Sequence, residues 1–214
     1  METLIRNACI LTMDDAGRTI RNGCVAVSGG KIAYVGSEKA MPKEFIAAKT
    51  IDAKGGALMP GFINAHTHLA MTLLRGLGGG LKLQDWLEKK IWPAEEKLRA
   101  AHCYWGSMLG IAEMIRSGTT AFLDMYFFME ETARAVEETG MRAVLSRGLL
   151  GNSPGFAKAL AENEALFREF NGTADGRLTV MLGPHAEYTC DEPSIRRVVE
   201  SAQRLGCGIH VHLQ

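Results

Sequence analysis

From Ala57 onward the chain alternates short runs rich in Val, Leu and Ile with amphipathic stretches, which restricts the fold more than any other feature. The apolar runs are residues 57–64, 119–125, 142–147, 178–184 and 208–213. Between them, residues 84–90, 93–117, 130–139, 156–170 and 192–205 read as helices. Strands buried on both faces appear as near-continuous apolar runs, and strand–helix alternation builds a parallel sheet. Pro93 suits a first helical turn, where its missing amide hydrogen costs nothing. Gly118, Gly140 and Gly206 fall just past predicted helix ends, where a left-handed residue is wanted.

Each apolar run delivers a polar or ionisable side chain at its C-terminal end: His66 and His68, Asp124, Arg147, His185, then His210 and His212. In a (β/α)8 barrel those ends share one mouth, where active sites lie. An open doubly wound sheet also gathers ligands at its carboxyl ends, but it carries a Gly-rich phosphate turn after the first strand. Two histidines occupy that place here, so a barrel is expected. Residues i and i+2 of a strand point the same way, so His66 and His68 can converge on one divalent ion. The pair alone equally suits two rings bonded to backbone groups. The second pair, His210-Val211-His212, favours the metal.

Residues 1–56 read as a small β-sheet that needs something to pack against, and residues 57–214 as barrel. Gly29-Gly30 between Val25-Ala26-Val27-Ser28 and Lys31-Ile32-Ala33-Tyr34-Val35 signals a two-residue hairpin. Lysine and arginine number 24 and so do aspartate and glutamate, so no global field draws nucleic acid or anionic lipid. Five scattered cysteines without a Cys-x-x-Cys pair suggest reduced thiols. The N-terminus has no signal-peptide pattern and no run reaches a membrane span. A cytoplasmic protein with no membrane or nucleic-acid partner is expected. Gly78-Gly79-Gly80 lacks a following Lys-Ser/Thr and reads as a loop, not a phosphate cradle.

Several segments together resemble the amidohydrolase superfamily, and within it the 5′-methylthioadenosine/S-adenosylhomocysteine deaminase branch. They are Met59-Pro60-Gly61-Phe62-Ile63-Asn64-Ala65-His66-Thr67-His68, Met71-Thr72-Leu73-Leu74-Arg75-Gly76 and Ile91-Trp92-Pro93-Ala94-Glu95. Asp124-Met125-Tyr126-Phe127, Ser146-Arg147-Gly148, Gly183-Pro184-His185 and His210-Val211-His212-Leu213 continue the match. The likeness implies a partial (β/α)8 TIM barrel, about five of eight strands, with a small N-terminal β-sandwich part. It implies His66, His68 and His212 as metal ligands, with His210 packed one layer deeper, although the reverse assignment of the two stays open.

Glu95, Arg147 and His185 match substrate-contacting positions, Glu95 that of a carboxylate holding ribose hydroxyls. An acidic residue in a first helical turn is also favoured by the helix dipole alone, and a strand-end arginine or histidine can simply pair with a carboxylate. Asp124 suits a loop-anchoring role. Trp86 is placed either on the pocket wall or in the core. No lysine ends the fourth run, which in this family implies one metal ion, with zinc favoured and ferrous iron the alternative.

The implied reaction is hydrolytic: water replaces the adenine amino group, giving an inosine derivative and ammonia. Family members continue for a comparable length again, so the resemblance implies an N-terminal half. The family's proton-shuttling glutamate and metal-binding aspartate would lie beyond Gln214, leaving no catalytic residue within the chain and negligible turnover alone. The expected partner is a small nucleoside, with a homo-oligomer conceivable at full length. Two alternatives remain at this point: a sibling hydrolase of guanine or s-triazine rings, and a non-catalytic metal-binding fragment of a split protein.

Overall fold

The run expected as one strand over residues 57–64 is broken at Pro60. Proline has no amide hydrogen to give to a ladder, so Ala57–Leu58 and Phe62–Thr67 are separate strands. The computed structural model describes residues 1–151 and 153–213 and contains two compact units, Met1–Gly61 and Phe62–Gln214.

The first unit is a five-stranded sheet of β1 (Thr3–Leu11), β2 (Thr19–Ser28), β3 (Lys31–Ser37), β4 (Lys49–Asp52) and β5 (Ala57–Leu58). Its order is β3-β2-β1-β4, with β5 also on β1; β4 and β5 run parallel to β1. The expected hairpin is present, with Gly29 and Gly30 at φ of 55° and 77°, the twist a two-residue turn needs. A bulge at Asn7 (φ 54°) shifts the register between Ile5 and Ala8. It flips the alternation, so Leu4 packs with Cys24 and Ala26 while Ala8 and Ile10 pack with Val25.

The second unit begins with β6 (Phe62–Thr67). Helices α1 (Leu83–Trp86) and α2 (Trp92–Glu95) follow, joined by a π-turn over Leu87–Ile91. Then come α3 (Ala100–Ser117), β7 (Thr119–Tyr126), α4 (Met129–Thr139), β8 (Arg142–Leu149), α5 (Phe156–Phe170) and a short turn α6 (Thr173–Gly176). The order closes with β9 (Leu178–Val180), β10 (Gly183–Pro184) and α7 (Glu192–Leu205).

All strand pairs here are parallel, in the order β10-β8-β7-β6, with β9 also on β8. Pieces β9 and β10 form one line along β8, and Ile209 and His212 bridge to Leu182 and Ala186 on its other side. These five lines are the first part of a (β/α)8 barrel. Two expectations are corrected. Residues 208–213 make isolated bridges rather than a ladder, because they have one neighbour to pair with among the described residues. The helix expected over 93–117 is two helices: Arg99 is extended (φ −128°, ψ 161°) and its N–H donates to His102 Nδ1 at 3.0 Å, starting α3 afresh.

Phe122, Leu145, Leu178 and Val180 of the strands pack on Cys103 and Ile111 of α3 and on Ala133 and Val136 of α4. Each large apolar side chain buried this way is worth about 1.5–3 kcal/mol. Gly106 lets α3 lie against the 3-10 segment Leu69–Leu74: a Cβ there would sit 2.6 Å from the Ala70 carbonyl oxygen. The chain just after His68 is therefore clamped by a helix. No described helix is long and apolar enough to cross a membrane.

Candidate metal centre

Strand β6 brings up His66 and His68 at its C-terminal end, and the bridge from His212 to Ala186 brings the third ring to the same rim. Register Thr67↔Asp124 sets Asp124 beneath this point, where its Oδ1 accepts the Leu69 N–H at 2.7 Å and anchors the chain after His68. The three Nε2 atoms converge. That of His212 lies 2.8 Å from His66 Nε2 and 3.2 Å from His68 Nε2.

The opposite nitrogens fix the tautomer of two of the rings. His68 Nδ1 lies 2.5 Å from the Met125 carbonyl and His212 Nδ1 lies 2.6 Å from the His185 carbonyl. A carbonyl only accepts, so in each neutral ring the proton is on Nδ1 and Nε2 is a bare lone pair. Two such lone pairs 3.2 Å apart repel each other, and a cation between them turns repulsion into ligation. Nitrogens on a tetrahedral zinc at Zn–N distances of about 2.0–2.1 Å stand about 3.3 Å from one another. The donor set therefore fits a divalent metal.

Burial favours the neutral form of His66 and His68. Burial, then the charge of neighbouring imidazoles, brings His66 down from 6.5 to about 4. Burial likewise lowers His68 and His210, and takes His185 to about 4. Asp124 moves the other way, up from 3.8 to about 7, because it is fully buried.

A mostly apolar cavity opens beside the rings. His68, His185, Trp86, Trp92, Glu95 and Tyr126 are among its walls, and Glu95 is the one carboxylate lining it among the described residues. Burial pushes the Glu95 carboxyl up. The Tyr126 hydroxyl lies beside it, short of hydrogen-bond geometry and without a partner. His185, another wall residue, is held through Nδ1 by Thr189 Oγ1 at 2.8 Å. Trp86 is a wall residue whose Nε1 donates to the Leu77 carbonyl at 2.8 Å.

Arg147 faces an adjoining cavity that shares Trp92, Glu95, Phe127 and Leu150 with the first. It pairs with Glu162 at 3.2 Å and stacks 4.9 Å from the Phe127 ring centroid. The structure thus brings His66, His68 and His212 together, lines a cavity beside them with His185 and Glu95, and sets Arg147 next door. Sequence reasoning gave no role to Tyr126, Met125 or Ser146. A small hydroxyl residue inside the apolar run of β8 was the available signal for Ser146, whereas a carbonyl such as that of Met125 leaves no trace in side-chain identity.

Residues 57–214 match the model of the amidohydrolase family. The chain is 50% identical over 210 residues to a 5-methylthioadenosine/S-adenosylhomocysteine deaminase of Pelotomaculum thermopropionicum, covering 98% of this chain and 48% of the relative. It is 49% identical over 214 residues to a 5′-deoxyadenosine deaminase of Methanosarcina acetivorans, covering 99% of this chain and 49% of that one. The chain spans about half the length of the curated relatives it matches. Among solved structures, an adenosine deaminase of Xanthomonas campestris with bound zinc superposes with a TM-score of 0.90 at 31% identity, covering 98% of this chain and 48% of that chain.

Proposed function

This chain belongs to the amidohydrolase family, and from that premise we propose that His66, His68 and His212 hold one divalent cation for hydrolytic deamination of an adenosine derivative. Three imidazole nitrogens converging beside an apolar cavity, two of them left unprotonated by carbonyls at Nδ1, carry this assignment. Zinc is preferred over ferrous iron because a tetrahedral three-nitrogen site with a fourth position open suits it. When bound, the cation supplies the Lewis acidity that makes water nucleophilic near neutral pH.

The remaining roles belong to side chains of this chain. Met125 and His185 carbonyls hold two of the rings in the ligating tautomer. Trp86, Trp92 and Leu87 give the flat walls that suit a purine and keep bulk water out. Glu95 accepts from the ribose hydroxyls, beside a Tyr126 hydroxyl that lacks a partner. His185 contacts the base, and Arg147 reaches a 5′ substituent from the adjoining cavity. The 5′-methylthio and S-homocysteinyl groups are the substituents of choice, since a relative at 50% identity is named for those two substrates. Under the same assignment residues 1–56 contribute to a composite sandwich and residues 57–214 to the hydrolase barrel.

Ligand binding is the property to test in this chain. Calorimetry on the zinc-loaded 214-residue protein should detect 5′-methylthioadenosine or S-adenosylhomocysteine, with Glu95→Ala weakening either by about tenfold, as loss of a charged hydrogen bond predicts. Tighter binding of guanine or an s-triazine, or indifference to Glu95→Ala, would overturn the assignment.

A further inference from the structure

The geometry points to His210 as a positioning residue: together with Ser146 it takes up the Nδ1–H of His66 and so directs a bare Nε2 into the metal centre. The proposal rests on the three-histidine centre described above. Of its three rings, His66 is the one whose Nδ1 has no backbone carbonyl. His68 and His212 donate to carbonyls of Met125 and His185, acceptors that cannot change role. His66 Nδ1 instead meets a side chain, His210 Nε2, at 2.8 Å.

An imidazole accepts at Nε2 only when its own proton is on Nδ1, so the tautomer of His210 has to be fixed as well. Its Nδ1 lies 3.1 Å from Ser146 Oγ, and Ser146 Oγ donates at 3.0 Å to the Asp124 carbonyl. Ser146 is fully buried and His210 only 7% exposed, so water does not compete for these groups. A hydroxyl has one proton. Once it is given to Asp124, the serine oxygen accepts from His210, His210 Nε2 accepts from His66, and His66 Nε2 is left free for the cation. One polarity runs the length of the chain Asp124–Ser146–His210–His66, across strands β7, β8 and β6 and the residue 208–213 segment. Second-sphere acceptors of this kind orient a ligating histidine and raise its basicity, and their loss commonly costs about 10–100-fold in metal affinity.

The test uses zinc and the 214-residue chain. Affinity is measured by competition with a chromophoric chelator for the unaltered chain and for His68→Ala, His210→Leu, His210→Gln and Ser146→Ala, each checked for native circular dichroism. His210→Leu has no acceptor and should bind zinc at least about tenfold more weakly. His210→Gln, whose side-chain oxygen reaches the Nε2 position, should recover most of that loss, and Ser146→Ala should fall between. Long-range 15N–1H correlation on the unaltered zinc-loaded chain, which needs no variant, should show His210 protonated on Nδ1. Zinc affinity unchanged in His210→Leu, or His210 protonated on Nε2, would overturn the positioning role while leaving the centre intact. Failure of the unaltered chain to bind zinc, or equal binding by His68→Ala, would instead remove the centre itself and the relay with it.

Discussion

Asp124→Asn makes a buried charge visible in stability. Asp124 is fully buried, its Oδ1 takes the Leu69 N–H at 2.7 Å, and its Oδ2 has no partner. Burial raises its pKa from 3.8 to about 7. Because the folded chain holds the proton more tightly than the unfolded one, the stabilisation is complete below pH 3.8 and is lost as pH rises through 7. At 1.36 kcal/mol per tenfold change in acidity, that rise amounts to about 4 kcal/mol. Asparagine is neutral throughout and keeps an acceptor for Leu69, but its unpaired amide costs about 1–3 kcal/mol. The variant should therefore exceed the parent by about 1–3 kcal/mol at pH 8, lose that lead by pH 4, and show a total swing of about 4 kcal/mol. Urea unfolding of the metal-free chain, followed by tryptophan fluorescence, reads this directly: Trp86, Trp92 and Trp105 all lie in the barrel unit. Histidine titration is common to both proteins and cancels in the difference. A difference that stays flat from pH 4 to 8, or one that grows more unfavourable to asparagine at high pH, would refute the reasoning.

Gly106→Ala puts a methyl 2.6 Å from the Ala70 carbonyl and should cost about 1–3 kcal/mol in thermal unfolding. Zinc affinity should drop alongside, since the displaced segment directly follows His68. His66 and His185 resist protonation, each falling from 6.5 to about 4. Their contribution is intact above pH 6.5 and erodes as pH falls through about 4, so acid titration of the metal-free chain should show falling stability in that window. Ser107→Ala strands the buried Thr132 hydroxyl, now 3.0 Å from its partner, and should cost about 1–3 kcal/mol by the same urea assay.

The strand–helix alternation, the hairpin at Gly29-Gly30, and helices α5 and α7 were readable in the sequence because each rests on local chemistry: apolar period, turn glycines, helix ends. Residues 57–64 were not, since an apolar run cannot say which sheet each half joins, and Pro60 decided it. Residues 93–117 likewise hid a break that depends on one side chain, His102, capping Arg99. At the rim, the pairing of His66 with His68 followed from strand period alone. Which ring meets His66 at Nε2 (His212) and which at Nδ1 (His210) depends on the carbonyl or hydroxyl that each finds across the barrel, information that arises only from the tertiary arrangement.

X-ray absorption at the zinc edge, on the chain loaded with one equivalent of zinc, tests the three-histidine centre most directly. Three imidazole nitrogens at about 2.0–2.1 Å are expected, with one imidazole lost in His212→Ala. A zinc environment with fewer than three imidazoles, or one that His212→Ala leaves unchanged, would contradict it.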